Sequence, residues 1–257
     1  GEWQLALDEC QKALNLGNVE LMDLNSFPGR EENRYILDVE NPEIIFTQGY
    51  SATNVFYKNI SYFTICSFSC SEELISLYNS FDDQVIKDLR LNAFFEDNGD
   101  EQYRVSKVGE KVYDCFAIRS VELYLNKAEA EAMLDKVEAI QTIKTLLHNR
   151  FEGGIPDVDG LSGKDLVSFI RDERRRELCF EAHRWFDLRR YAVSPKYPEK
   201  KSIRHTAYDI KGKLEGDYVL KPYGEDPAWV LPIPGYEIVY NQGNLVDNPQ
   251  RVERELE

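Results

Sequence analysis

The stretch 171–191, RDERRRELCFEAHRWFDLRRY, constrains the fold more than any other part of the chain. Together with the residues before it, it has the spacing of one long helix from about 163 to 191, beginning after an N-cap at Ser162. The apolar stripe of this helix comprises Leu166, Ile170, Leu178, Trp185 and Leu188. Charged residues interrupt the stripe, since Arg174, Glu177 and Glu181 lie on or beside it. Because a buried charge without a partner is costly, the fold must pair these side chains inside a packed core.

A second helical segment, residues 113–134, offers partners for those arginines. Glu122 and Glu129 lie on or near its packed side. We therefore predict a structural ion-pair network made of Arg174, Glu177, Glu181, Arg184, Glu122 and Glu129. Within it, Arg174 or Arg184 should pair with a glutamate of residues 119–131. If Arg174 is buried and paired, Arg174→Ala should destabilise the protein by roughly 3–5 kcal/mol.

The segment ERRRELCFEAHRWFDLRRY closely resembles the signature helix of the SusD/RagB family. Three further segments match that family in the expected order. They are SEELISLY at 71–78, RSVELYLNKAEA at 119–130, and LPIP at 231–234 followed by Glu237-Ile238 and Asn248-Pro249. Each segment alone is a weak signal, but four in order over residues 71–250 identify the chain as a member.

The resemblance implies a mostly α, SusD-like fold with tetratricopeptide-like helical pairs, long irregular loops and a few short strands. It implies a non-catalytic lipoprotein on the outer-membrane surface of Bacteroidetes that binds glycans or other nutrients. Such proteins deliver their ligand to a SusC-like TonB-dependent transporter. Family members begin with a lipoprotein signal, which provides the lipid anchor, and an N-terminal helical-repeat region. This sequence lacks the signal and most of the helical-repeat region, so we interpret it as a C-terminal part or a naturally short relative.

We predict a single SusD-like domain over residues 1–257. Residues 1–25, with an amphipathic helix at 3–15, would be a remnant of the helical-repeat region. Residues 26–112 would be irregular, with a short helix at 71–79 and short strands near 91–95 and 102–107. The helical core with the signature helix would span 113–191, and its second helix would be 136–149. A loop excursion, with a hairpin near 203–220, and the closing segment would occupy 192–257.

The best candidate for a ligand-facing region is the tract 48–63, QGYSATNVFYKNISYF. It is rich in aromatic rings and amides and lacks a helical period. Sugar recognition combines flat rings with amide donors and acceptors. Composition therefore suggests Tyr50, Asn54, Tyr57 and Tyr62 as ligand-binding residues, although the same rings could instead face the helical core.

The net charge and the cysteine pattern argue against several other classes of protein, namely those that bind nucleic acid, anionic lipid or metal ions. With 31 basic and 46 acidic residues the net charge is −15, which argues against nucleic acid and anionic lipid as partners. The five cysteines include no C-x-x-C pair, and Cys66 and Cys70 have no histidine nearby, so we predict no metal site and no cofactor. The sequence contains no run of about 18 apolar residues, the length that a membrane-spanning helix needs.

The sequence also argues against catalysis. The carboxyl pairs Glu177/Glu181 and Glu122/Glu129 lie among arginines, which would keep both members ionised and leave no proton donor. No nucleophile, phosphate-binding or dinucleotide motif is present. Two alternatives remain open. One is a protein-interaction scaffold of the transporter complex without its own small ligand, and the other is an enzyme acting on sugars.

Overall fold

The computed structural model describes residues 2–18, 20–29, 32, 34–38, 40–48, 70–80, 85–97, 103–107, 116–209, 211–249 and 256. Within these ranges the chain forms eight α-helices and four two-stranded antiparallel sheets. Helices dominate and the strands are short. The predicted fold class, mostly α with a few short strands, is confirmed.

The helices are α1 Trp3–Asn15, α2 Glu72–Asn79, α3 Arg90–Phe94, α4 Ser120–Met133, α5 Glu138–Leu147, α6 Gly163–Glu177, α7 Arg184–Ala192 and α8 Gly235–Tyr240. The strands are β1 Ile44–Gln48, β2 Lys87–Asp88, β3 Phe95–Asp97, β4 Tyr103–Val105, β5 Phe116–Arg119, β6 Phe151–Glu152, β7 Ile203–Tyr208 and β8 Leu214–Leu220. They pair as β1–β5, β2–β6, β3–β4 and β7–β8.

The chain divides into two compact units, Gly1–Arg184 and Trp185–Glu257. The prediction of a single domain over 1–257, with its internal subdivisions, stays a prediction. In the first unit α4 is the central helix, because it packs against α1, α5 and α6. Its buried residues, among them Val121, Leu125 and Ala128, spread around more than one side, as a helix with several neighbours requires.

The short helices begin and end as their sequences indicate. Leu7 and Cys10 are the buried residues of α1, and Gly17 follows its end with a left-handed φ of 74°. The hydroxyl of Ser71 caps α2 by accepting a hydrogen bond from the Leu74 backbone N–H at 3.3 Å. Both helices therefore lie where their apolar spacing and capping residues predict them.

The start of α4 corrects the predicted helix at 113–134. Residues 116–119 form β5, which pairs with β1 in the register Ile44↔Arg119 and Gln48↔Phe116. The backbone N–H of Ser120 then donates to the Glu43 carbonyl at 2.7 Å. The paired residues are 68 to 75 positions apart in the sequence, so helical periodicity cannot reveal the pairing, which overrides the helical pattern here.

The first strand of the predicted hairpin is also displaced. Residues 90–94 are helical, and the strand is Phe95–Asp97 instead of 91–95. It pairs with β4 as Phe95↔Val105 and Asp97↔Tyr103. The Asn98-Gly99 turn expected between the strands lies outside the described residues.

The predicted helix 163–191 is two helices, and this is the largest correction. The first, α6, ends at Glu177, and the second, α7, begins at Arg184. Between them, Phe180 and Ala182 adopt left-handed φ angles of 61° and 64°, which no α-helix accommodates. Ser162 occupies the N-cap position of α6, but its side chain makes no capping hydrogen bond.

An apolar cluster in the first unit joins α2, α3 and the β3–β4 pair. Its buried members include Tyr78, Phe94, Phe95 and Cys179. The rings of Tyr78 and Phe95 meet edge to face with centroids 5.5 Å apart. This cluster lies directly beside the charged residues described below.

In the second unit, the predicted hairpin near 203–220 is formed by β7 and β8. Trp229 is buried, its ring centroid lies 4.4 Å from that of Trp185, and its indole N–H donates to the Lys221 carbonyl at 2.7 Å. The closing segment continues through α8, none of whose residues is buried.

Candidate functional site

The four residues predicted to bind ligand, Tyr50, Asn54, Tyr57 and Tyr62, lie outside the described residues. Their role stays a prediction. The chemically distinctive feature within the described residues is the charged centre of the first unit. It has the following buried members: Glu43, Asp88, Arg90, Lys107, Arg119, Arg150, Glu173, Arg176, Glu177 and Glu181.

Glu177 lies at the middle of this charged centre. Its carboxylate accepts hydrogen bonds from Arg150 Nε at 2.9 Å and from Arg119 Nη1 at 3.1 Å. Arg90 Nη1 approaches the same carboxylate at 3.5 Å. The side chain of Glu177 is wholly buried, so three guanidinium groups replace the water it has lost.

Glu43 joins two of those arginines from the other side. Its oxygens accept from Arg119 Nη1 and from Arg150 Nη2, both at 2.6 Å. The Met22 backbone N–H also donates to it, at 2.9 Å. Glu43 therefore connects the segment before β1 to β5 and to the end of α5.

Arg90 connects α3 to α6. Its guanidinium forms a two-point contact with Asp88, at 2.9 Å from Nε and 2.7 Å from Nη2, and a third bond to Glu173 at 2.7 Å. Arg176 also donates to Glu173, at 2.8 Å from Nε. Planar guanidinium groups suit such forked contacts better than ammonium groups do.

Lys107 fixes the turn between α6 and α7. Its ammonium group donates to the Glu177 carbonyl at 2.8 Å, to the Cys179 carbonyl at 3.1 Å and to the Glu181 carboxylate at 2.5 Å. Arg119 binds Glu181 as well, from Nε at 3.0 Å and from Nη2 at 2.7 Å. The end of α6 is therefore held by side chains from distant parts of the chain.

A second group of ion pairs links α6 to α4. Arg174 donates to Glu122 at 2.8 Å and to Asn126 at 2.9 Å, so a pair of the kind expected between Arg174 or Arg184 and residues 119–131 is present. Arg171 lies 3.5 Å from Glu129. Arg184 begins α7.

The network places most of its partners outside the set proposed from the sequence. Sequence reasoning missed Glu43, Asp88, Arg90, Lys107, Arg119, Arg150, Glu173 and Arg176. Of these, Arg119, Glu173 and Arg176 lie in segments predicted to be helical, and the others lie in segments without a clear apolar period. The usable signal for Arg119 was its position directly after the apolar residues 116–118.

The neighbouring cations keep the buried carboxyl groups of Glu173, Glu177 and Glu181 ionised, because they lower the pKa of each. Burial alone would raise the pKa of Glu177, but Arg150, Arg119 and Arg90 hold it well below the ordinary value. Likewise, burial opposes the lowering of the pKa of Glu173 by Arg176 and Arg90, and of Glu181 by Arg119 and Lys107. These groups are permanent charges at neutral pH, and they cannot act as proton donors.

The part of the chain that the structure describes contains no group of three or more His, Cys, Asp or Glu side chains arranged to hold a metal ion. Cys10, Cys70 and Cys179 are free thiols. No described helix is long and apolar enough to cross a membrane.

A model of the SusD family matches residues 90–250, which is more than half of the chain. The chain belongs to the SusD family. The matched region begins at Arg90 and takes in α6, the turn after it and the closing segment. No curated protein matches the chain at a significant level.

Solved structures share the SusD fold with this chain. A SusD superfamily protein from Bacteroides thetaiotaomicron VPI-5482 is 22% identical, with a TM-score of 0.68 over 97% of this chain and 57% of its own. A SusD-like carbohydrate binding protein from Bacteroides vulgatus ATCC 8482 is 20% identical, with a TM-score of 0.61 over 94% and 55%. Surface glycan-binding protein A from Bacteroides uniformis is 18% identical, with a TM-score of 0.58 over 96% and 56%. This chain thus spans little more than half the length of these relatives.

Proposed function

We propose that this SusD family chain belongs to a non-catalytic protein that captures glycans or related nutrients at the cell surface. Family membership over residues 90–250 carries the proposal. Two of the structures with the same fold are named as carbohydrate-binding and surface glycan-binding proteins.

The charged centre supports binding without catalysis. A glycosidase needs a carboxylic acid of raised pKa facing a second carboxyl group across the sugar. The pKa values of Glu173, Glu177 and Glu181 are lowered by the cations around them, after the opposing effect of burial. These carboxylates face arginine and lysine side chains. Their contribution is to hold helices and turns in place.

The proposed ligand-binding residues are Tyr50, Asn54, Tyr57 and Tyr62. Support for them is compositional, since the tract 48–63 combines aromatic rings with amides. Tyrosine rings can stack on the apolar face of a sugar while their hydroxyls bond to its edge. On this proposal the helical core carries the tract and does not itself touch the ligand.

The proposed partner is a SusC-like TonB-dependent transporter, to which the bound ligand is delivered. The proposed location is the outer-membrane surface, with attachment by an N-terminal lipid anchor. Both follow from what is general to the family. A role as an interaction scaffold without a ligand would have been favoured by an unpaired apolar face on α1, but α1 packs against α4.

Binding of the 257-residue chain to a polysaccharide panel tests the proposal. Affinity electrophoresis against soluble starch, xylan, galactomannan and mixed-linkage β-glucan should show retardation by at least one of them. Tyr57→Ala and Tyr62→Ala should each weaken that retardation about 5- to 10-fold, the loss of one aromatic contact.

Tyr208→Ala is the matched control, because Tyr208 is an exposed tyrosine on the β7–β8 hairpin, away from the tract in sequence. It should leave binding unchanged. A chain that no polysaccharide retards would contradict glycan capture. Retardation that neither Tyr57→Ala nor Tyr62→Ala weakens would contradict the assignment of the tract.

A further inference from the structure

The closing segment, residues 231–248, is tied together at its base. The Ile233 backbone N–H donates to Asp247 Oδ1 at 2.8 Å, and the Asn248 side-chain amide donates to the Leu231 carbonyl at 2.7 Å. These two bonds hold the ends of the segment side by side, with α8 between them. The surface of the segment therefore has a defined shape, like that of a compact closed loop.

The outward side of α8 carries two tyrosines. Tyr236 is 64% exposed and Tyr240 is 82% exposed. They are four residues apart, so they lie on one side of the helix, separated along its axis by about 6 Å. Val239, 77% exposed, lies on the same side. Two rings at this separation can stack on neighbouring sugar units of one chain.

The polar groups beside these rings are available for a ligand. Within the residues that the structure describes, the side chains of Tyr236, Tyr240 and Gln242 take part in no hydrogen bond. Gln242 is exposed and follows α8 directly. Two phenol groups and a primary amide provide both donors and acceptors next to apolar ring faces. Such a combination suits hydroxyl-rich ligands better than a wholly apolar partner.

The charge around these tyrosines indicates which carbohydrates fit. Residues 231–248 contain Glu237 and Asp247 but no lysine or arginine. An anionic glycan would meet repulsion without a compensating cation. A neutral glycan would not.

We propose that Tyr236, Tyr240 and Gln242 form a second carbohydrate-binding surface, for neutral oligo- or polysaccharides. The inference rests on the proposed function, since it assigns an additional glycan contact to the same protein. It is separate from the tract 48–63, because it uses residues of the second unit only.

Affinity electrophoresis with the full chain tests this surface, using soluble starch, xylan, galactomannan and mixed-linkage β-glucan as neutral probes and polygalacturonate as the anionic probe. With the neutral polysaccharide that retards the wild type most, Tyr236→Ala and Tyr240→Ala should each weaken binding about 5- to 10-fold. Tyr240→Phe, which keeps the ring, should retain most of the affinity. Tyr208→Ala, a change at a tyrosine that is 61% exposed on the hairpin, should have no effect. All three positions are exposed, so circular dichroism should show the wild-type fold for each of the four variants.

The outcomes separate this inference from the proposed function. Binding by the wild type that both alanine variants keep within twofold would overturn the second surface and leave glycan capture standing. Retardation by polygalacturonate that depends on Tyr240 would overturn its preference for neutral glycans. If Tyr240→Ala instead converts a dimer into a monomer in size-exclusion chromatography, the face is an interface between copies and not a glycan surface. A wild type that no polysaccharide retards would overturn both proposals.

Discussion

At the scale of single residues, the charged centre shows how a glutamate can be buried completely. Glu177 has lost all contact with water, and Arg90, Arg119 and Arg150 take its place. Burial of those guanidinium groups alone would lower their pKa values, but the surrounding carboxylates raise them above the ordinary value. Each charge in the centre is therefore favourable only while its partners remain.

Glu177→Gln tests that dependence. The substitution keeps the shape of the side chain but removes the negative charge that three buried arginines share. We expect a loss of about 3–5 kcal/mol in the free energy of unfolding, measured by urea denaturation followed by circular dichroism. Glu9→Gln, at an exposed residue paired with Lys12, is the control and should change stability by less than about 0.5 kcal/mol. Equal effects of the two substitutions would mean that the charged centre is solvated.

Arg174→Ala should be less damaging than Glu177→Gln. The side chain of Arg174 is 7% exposed, but its partner Glu122 is 23% exposed and can turn to water when the arginine is lost. We expect a loss near the lower end of the range for a buried pair, about 3 kcal/mol. The same urea titration measures it. A loss below about 1 kcal/mol would show that the link between α4 and α6 contributes little.

At the scale of elements, the break between α6 and α7 is stabilised by Lys107, which is distant from it in the sequence. The carbonyls of Glu177 and Cys179 have no helical partner ahead of them, and Lys107 donates to both. The Lys107 ammonium group also lies 4.2 Å from the centroid of the Phe94 ring. A break stabilised in this way cannot be recognised from the periodicity of residues 163–191.

Lys107→Met tests the role of that contact. Methionine fills a similar volume but leaves the buried Cys179 carbonyl without its donor. It also leaves Arg119 as the remaining donor to the Glu177 carbonyl, at 3.2 Å, and as the remaining cation beside Glu181. We expect a loss of about 3 kcal/mol or more in stability, and faster hydrogen exchange at the amides of residues 178–183. Lys12→Met, at an exposed lysine, should change neither quantity. Unchanged exchange in 178–183 would mean that Lys107 does not hold the turn.

The β2–β6 pair depends on a glycine. Gly153 follows β6 with a φ of 78°, and a Cβ placed on it would lie 1.9 Å from the backbone oxygen of Val85. Because that oxygen belongs to the backbone, the two strands would have to separate. We expect Gly153→Ala to cost about 3 kcal/mol or more in a urea titration, from the strained φ and the clash together.

Gly17→Ala is the matched comparison for the backbone strain alone. Gly17 has nearly the same φ, 74°, but nothing lies within 4 Å of the added Cβ. It should cost only about 1–2 kcal/mol. Equal costs at the two glycines would show that the Val85 contact is relieved without penalty.

At the scale of the whole molecule, the buried carboxylates make stability depend on pH. Their folded pKa values lie below the unfolded value of about 4.3, so between those values the unfolded chain binds more protons. The stabilisation is therefore complete above about pH 5 and is lost as the pH falls below about 4.3. Urea midpoints measured from pH 3 to 7 should show this fall.

Comparison with Glu177→Gln isolates the contribution of one carboxylate to that fall. Protonation also changes the net charge from −15 at pH 7 to positive values below the isoelectric point of about 4.8, an effect common to wild type and variant. The midpoint of the variant should decline less steeply between pH 5 and 3. Identical slopes would show that Glu177 is not a source of the acid sensitivity.

Residue spacing and motif order were enough to predict the family, the mostly α class and the positions of most helices. These depend on local information: apolar spacing in α1, α2 and α5, the Ser71 cap, and four motifs in a fixed order. The need for an Arg–Glu network was also readable, because charges interrupt the stripe of α6. The sequence did not indicate that Tyr236 and Tyr240 are exposed, because residue type alone does not predict whether a tyrosine side chain is buried.

The pairing of the buried charges, in contrast, depends on tertiary contacts. Glu43, Arg90, Lys107, Arg119 and Arg150 come from separate segments with no shared period, and they converge on Glu177 and Glu181 through strand pairing and helix packing. The same convergence ends α6 at Glu177, because the carbonyls at its end bind Lys107 and the chain turns through left-handed residues. Helical spacing reflects only local conformational preference. The free energy of pairing buried charges depends on contacts between residues distant in sequence. At the end of α6 the pairing of buried charges outweighs the local helical preference.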